Sequence, residues 1–224
     1  MTNSKKLAQN VQAVAERLRI AAVWNGSRDA VDVCKDHYLY EILCYFHIAK
    51  DAKMGFHILI SGRTDMLKDG SSVARWPKKP GKKSNFSFLR LRAKNQKNES
   101  FQLCPGIEVI DKHGKTRAPD ANLLCQNAPD QPKHEHLRAC WDAKYSIKPT
   151  SPVSDVAVSD FVYTFKMFEA PVIPAEWSTS VSGSPFVRSG IVTNAGKSSE
   201  PDAALMEFGI TEISHFPDAP TTRP

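Results

Sequence analysis

Asp142 and Lys144 stand two residues apart in the stretch His136 to Tyr145, HLRACWDAKY. A strand alternates its side chains between two faces. Leu137, Ala139, Trp141, Ala143 and Tyr145 would share one face, and His136, Arg138, Cys140, Asp142 and Lys144 the other. The first face is apolar and suits a core. The second sets a carboxylate beside an ammonium, a costly arrangement on a half-buried strand unless the two are paired or put to use. A salt-bridged strand rim meets the first condition and a reactive site the second. Asp120, after Pro119, opens the apolar run to Cys125 and is a further acid at a strand's start. Glu41 is the sole acid between Tyr38 and Ala49, in a helix apolar nearly all round. A buried carboxylate there needs a cation, a donor or a metal. A salt bridge or a solvent-facing edge is the plainer alternative.

Pro119-Asp120 followed by Asp142-Ala143-Lys144, both on predicted strands, resembles the signature of the PD-(D/E)XK nuclease superfamily. The likeness covers roughly residues 37–215. SGIVTNAGKSS and LMEFGITEI are similar to the closing strand–helix–strand unit of its Mrr-like branch. The resemblance implies an α/β fold, a restriction-endonuclease-like sandwich with a central mixed β-sheet flanked by helices. It implies a Mg2+-dependent deoxyribonuclease, an endonuclease of bacterial restriction or anti-phage defence, with Mn2+ as a substitute metal. Asp120 and Asp142 would hold the metal with the backbone carbonyl of Ala143. Lys144 would position the attacking water and stabilise the phosphate, serving as a base only if its pKa were depressed. Glu41 would be the acid on the helix before the catalytic strands, orienting the site or serving a second metal. A catalytically silent nucleic-acid-binding or scaffold subunit is the alternative. A third reading, an accidental motif in an unrelated protein, would leave these residues far apart.

The chain has 224 residues and is 41% hydrophobic, enough for a globular core. Its net charge of +6 has a local origin. Arg75, Lys78, Lys79, Lys82, Lys83, Arg90, Arg92, Lys94 and Lys97 fall in one span without an acid, so the remainder nets −3. Trp76, Phe86 and Phe88 interleave with them. A basic segment with aromatics suits a nucleic-acid backbone, and Arg75, Lys78, Lys79, Lys82, Lys83, Arg90 and Arg92 are the candidate contacts to DNA; a solvated loop is the alternative. Five cysteines without a Cys-x-x-Cys pair fit a reducing cytosol rather than a disulfide framework or thiolate zinc site. No apolar run reaches the ~18 residues of a membrane span, and MTNSKKLAQN lacks a signal's apolar core. Phosphate loops, dinucleotide fingerprints and serine nucleophile elbows are absent.

The elements that must position these residues follow from periodicity. Leu7, Val11, Val14 and Leu18 predict an amphipathic helix over 5–20, part of an N-terminal extension (1–35) that could serve packing, a homodimer or a targeting partner protein. A buried helix is expected from about Asp36 to Lys53, then a strand at Phe56 to Ile60. The basic region around 63–100 reads as an insertion in the nuclease-like domain (36–215), with Asn85 to Arg92 extended. A hairpin is expected from Ile107–Ile110 to a return strand, Arg117 to Leu124, carrying Asp120. His134-Glu135-His136 reads as a loop-to-strand junction rather than a metal cluster. Val158, Phe161, Val162, Phe165 and Phe168 predict a helix capped at Ser154 or Asp155. Pro171 to Pro185 reads as irregular. Phe186 to Thr193 and Ile210 to Ile213 read as strands around a short helix with a capping box at Ser199 to Asp202, before a flexible tail (216–224).

Overall fold

A computed structural model describes residues 3–20, 36–66, 70–94, 100–199 and 202–216. The expected break at Trp24 to Ser27, Lys97, the Glu200-Pro201 part of the capping box, and the tail beyond Phe216 lie outside the described residues.

The apolar stripe of the first helix, α1 (Asn3–Leu18), is buried along the second, α2 (Asp36–Ala52). Ten of the seventeen α2 residues are buried. α2 therefore lies sandwiched, with α1 on one side and the sheet on the other, and α1 belongs to the core rather than extending from it. The Tyr45 hydroxyl donates to the Leu103 carbonyl at 2.8 Å and fastens α2 to the sheet.

The strands are β1 (Phe56–Gly62), β2 (Thr64–Met66), β3 (Ser72–Ala74), β4 (Ser87–Ala93), β5 (Phe101–Pro105), β6 (Val109–Ile110), β7 (Thr116–Arg117), β8 (Ala121–Cys125), β9 (Leu137–Lys144), β10 (Ser189–Thr193) and β11 (Ile210–Ile213). Seven form one mixed sheet in the order β1-β4-β5-β8-β9-β10-β11. Pairing is antiparallel from β1 to β9 and parallel from β9 through β10 to β11. The parallel pairs require crossovers, supplied by α3 (Asp155–Met167) and α5 (Asp202–Glu207). The protein is thus an α/β sandwich. α1, α2 and α4 (Ala175–Ser180) cover one face, where Leu89, Leu91, Leu103, Leu123, Ala139 and Trp141 point. α3 and α5 cover the other through Val158, Phe161, Phe165 and Leu205. Among the described residues no helix is long and apolar enough to cross a membrane.

Two expectations change, while the extended reading of Asn85 to Arg92 is met by β4, which lies inside the sheet and buries Leu89 and Leu91. The segment read as irregular contains α4, whose Trp177 is fully buried against Phe56, Phe101 and Trp141 at ring distances of 5.9, 6.5 and 5.9 Å. The 107–124 hairpin divides in two. β6 and β7 form a separate two-stranded sheet, with Ile110 also bridging Lys133, whereas β8 joins the main sheet beside β5. Asp120 is therefore not a strand residue but immediately precedes β8. The small β6–β7 hairpin closes on buried Asp111, which accepts from the amides of His113 and Lys115 and from Arg117 Nε at 2.8 Å.

Candidate active site

β8 and β9 run antiparallel, so the start of one lies beside the end of the other. Ala121 opposes Trp141, which brings Asp120 next to Asp142 and Ala143. The Ala143 amide donates to Asp120 Oδ2 at 2.7 Å, and the Asp142 carboxyl is close enough to disfavour ionisation of Asp120. Lys144 Nζ lies 2.6 Å from Asp142 Oδ2. α2 brings Glu41 into the electrostatic field of Asp142, Lys144 and Asp120. Residues from three segments separated by up to a hundred positions thus meet at one end of the sheet.

The neighbours that position them gave no motif signal. Asn122, buried in β8, donates to the Pro119 carbonyl at 3.0 Å and shapes the chain ahead of Asp120. The Gly106 amide donates to the Asp120 carbonyl at 2.8 Å. Thr193 Oγ1 donates to the Lys144 carbonyl at 2.8 Å. Asn194 brackets Ser146, accepting from its amide at 2.7 Å and donating to its carbonyl at 2.8 Å. Such backbone-directed bonds are readable only once pairing is known.

Three carboxyls share this corner with one ammonium, and the electrostatics follow. Burial, then the field of Asp142, pushes Glu41 up to about 7, with Lys144 opposing. Burial together with Asp142 and Glu41 raises Asp120 well above the ordinary carboxyl range, against the pull of the Ala143 amide. Burial disfavours the Lys144 ammonium, but the three acids outweigh it and hold its pKa above that of an ordinary lysine. Lys144 is therefore charged at neutral pH. It can orient water and stabilise an anion, but cannot act as a base as arranged.

Two open clefts meet at the 118–120 segment. One, about 190 Å³, is lined by Glu41, Lys78, Lys79, Gly106 and Asp120 among others. The other, about 340 Å³, includes Arg117, Pro119, Asp142, Lys144, Asp160 and Thr164. Asp120, Asp142 and Glu41 could serve as oxygen ligands to a hard cation. Among the described residues no group of three or more His, Cys, Asp or Glu side chains is placed to hold a metal ion.

The basic residues separate into different environments. Lys78 and Lys79 are exposed and reach the site cleft, and Lys82 is exposed nearby. Arg75 pairs with Asp65 at 3.7 Å. Lys83 corrects the expectation for it. Its ammonium points inward, donating to Gln102 Oε1 at 2.8 Å and to the Ala128 carbonyl, with the Phe88 ring beneath. Burial lowers its pKa. It ties the sheet to the 126–133 loop and offers nothing to a phosphate. Arg90 and Arg92 are half-buried on β4 opposite Leu59 and His57. The register from Ala121 through Pro105 and Phe101 to Leu91 carries Arg92 toward the sheet end away from Asp120. His134 and His136 take separate partners: His134 meets Glu169 at 3.5 Å, whereas His136 Nδ1 accepts from the Lys133 amide.

No family model, curated protein or solved structure matches the chain.

Proposed function

We propose that this protein is a metal-dependent nuclease hydrolysing phosphodiester bonds in DNA, with a PD-(D/E)XK-type site on a restriction-endonuclease-like sandwich. The supporting observation is the meeting of Glu41, Asp120, Asp142 and Lys144 where β8 begins and β9 ends. An accidental match of short motifs gives no reason for the four to converge.

Hydrolysis of a phosphodiester needs a water oriented for in-line attack and stabilisation of the charge gathered on phosphate and leaving oxygen. A Mg2+ or Mn2+ ion, when bound, would lower the pKa of its water and neutralise that charge. The donor set fits such an ion chemically. Three carboxyls face one ammonium, and burial followed by mutual repulsion raises Glu41 and Asp120, a repulsion that a cation would relieve. Magnesium needs only one or two carboxylates and keeps several waters, so a complete protein cage is not required. Asp120 and Asp142 would hold the ion with the Ala143 carbonyl, and Glu41 would orient the site. Lys144 stays charged, so its part is to hold the water and offset the phosphate. As the water oxygen bonds to phosphorus, the in-line ester P–O bond breaks with its electron pair passing to the leaving oxygen, and the proton given up by the attacking water reaches that oxygen by way of solvent. The clefts lie on either side of the 118–120 segment and both are open to solvent, which suits an extended substrate and the endonuclease reading.

Purified protein should nick supercoiled plasmid or cut single-stranded DNA with Mg2+ or Mn2+ but not with EDTA. Lys144→Ala and Asp142→Ala should abolish cutting. Cutting by folded Asp142→Ala at the wild-type rate would refute the site. DNA binding by wild type without cutting under any metal condition would favour a silent nucleic-acid-binding subunit.

A further inference from the structure

Resting on the nuclease reading, we infer that Lys78 and Lys79 grip the phosphate next to the scissile one on the Glu41 side, and that Gly106 locks their loop to Asp120. Prolines bracket the two lysines at positions 77 and 80, limiting the loop's backbone freedom. Pro77 is buried, whereas Lys78 and Lys79 are exposed and line the cleft shared with Glu41 and Asp120. The loop is tethered downstream as well. Gly81 bridges Ile107, and the Glu108 amide donates to the Gly81 carbonyl at 2.9 Å.

Gly106 joins this loop to the site. It has φ +46°, where side chains are strained, and a Cβ there would lie 3.1 Å from Pro77 Cγ. Its amide meanwhile holds the Asp120 carbonyl at 2.8 Å. One residue therefore seats the loop and fixes the chain at Asp120, giving the lysine pair a defined place relative to the carboxylates.

The opposite cleft is unsuited to the same task. Its cations have other tasks: Lys144 faces the scissile phosphate, and the Arg117 guanidinium is committed to buried Asp111 at 2.8 Å and to the Tyr163 ring at 5.0 Å. Two flexible, solvated ammonium groups are point-charge phosphate binders. The backbone grip is consequently one-sided.

The test is steady-state cleavage of a short labelled DNA oligonucleotide in Mg2+, comparing wild type with the double variant Lys78→Ala/Lys79→Ala. A Lys5→Ala/Lys6→Ala variant on the exposed face of α1 controls for net charge. Lys78→Ala/Lys79→Ala should raise KM about tenfold, leave kcat within about twofold, and flatten the dependence of log KM on log salt by about one to two. The control should leave all three unchanged. Gly106→Ala, checked for folding by thermal melting, should raise KM in the same direction and add little to the double variant. An unchanged KM and salt slope in Lys78→Ala/Lys79→Ala, with an active wild type, overturns the inference alone. A wild type that neither cuts nor binds DNA overturns the nuclease reading and this inference with it.

Discussion

The carboxyl cluster should make metal-free protein lose stability as pH rises, and Glu41→Gln should remove part of that loss. Glu41 has its carboxyl pushed from 4.5 to about 7, by burial first and then by Asp142. The folded state therefore holds this proton more tightly than the unfolded chain. Below pH 4.5 both states are protonated and no penalty exists. Between 4.5 and about 7 the unfolded chain ionises first, so the penalty grows with pH and is complete above 7. At about 1.4 kcal/mol per pH unit the ceiling is about 3 kcal/mol. Solvent reaching the half-buried side chain brings it to about 2 kcal/mol. Asp120 acts in the same direction. His47, whose half-buried imidazole is lowered to about 4 chiefly by loss of solvent, acts oppositely, gaining stability for the fold as pH rises to about 6.5. The difference between wild type and variant isolates Glu41.

Urea denaturation followed by tryptophan fluorescence suits the measurement, since Trp141 and Trp177 are buried. Without divalent metal, Glu41→Gln should gain about 2 kcal/mol relative to wild type on going from pH 5 to pH 8. Adding Mg2+ should stabilise wild type at pH 8 more than at pH 5, because ionised carboxylates bind it and binding to the native state alone adds stability. Parallel pH curves for wild type and Glu41→Gln would refute the electrostatic account of the cluster, whatever the enzyme activity.

Three further outcomes follow from the packing. Lys83→Ala should destabilise by about 2–3 kcal/mol by orphaning Gln102 Oε1 and the Ala128 carbonyl, while DNA affinity of the folded variant stays at wild-type level; melts and anisotropy titrations check both halves. Trp177→Ala should cost about 3–5 kcal/mol in urea midpoints, as it empties the contact among Phe56, Phe101 and Trp141. Gly190→Ala should cost about 2–3 kcal/mol, because its Cβ would stand 2.1 Å from the Thr211 carbonyl oxygen and push β11 off the sheet.

The clustering of Asp120, Asp142 and Lys144 was legible because their signal is local: alternation across β9, and an acid opening an apolar run. β5 was not, since FQLCP is buried on both faces and lacks the alternation that marks a half-exposed strand. α4 is six residues, AEWSTS, in a Ser- and Pro-rich link, too short for helical periodicity; only its tertiary contacts hold it. Lys83 was misplaced because composition treats a charge run as one surface. Whether one lysine turns inward depends on Gln102 and Ala128, nineteen and forty-five residues away. Asp120 was placed in a hairpin with 107–110 because proximity in sequence favoured that pairing, whereas the sheet pairs β8 with β5.

The topology explains why the site falls where it does. β9 is the strand at which pairing changes from antiparallel, with β8, to parallel, with β10. At its carboxyl end the chain must leave the sheet for the α3 crossover, and the side chains there lose the cover that helices give the middle of the sheet. In α/β sheets such a position, beyond the carboxyl ends of parallel strands, is where ligands bind. The antiparallel partner adds its own residue at the same end, because β8 starts where β9 stops. Asp142 and Lys144 thus come from a strand's end, Asp120 from a strand's beginning, and Glu41 from the helix lying across both. Four polar groups can gather without piercing the core, since each leaves the apolar pattern at a terminus or edge. The cost of bringing three acids together is confined to a corner that solvent, a cation or a phosphate can reach.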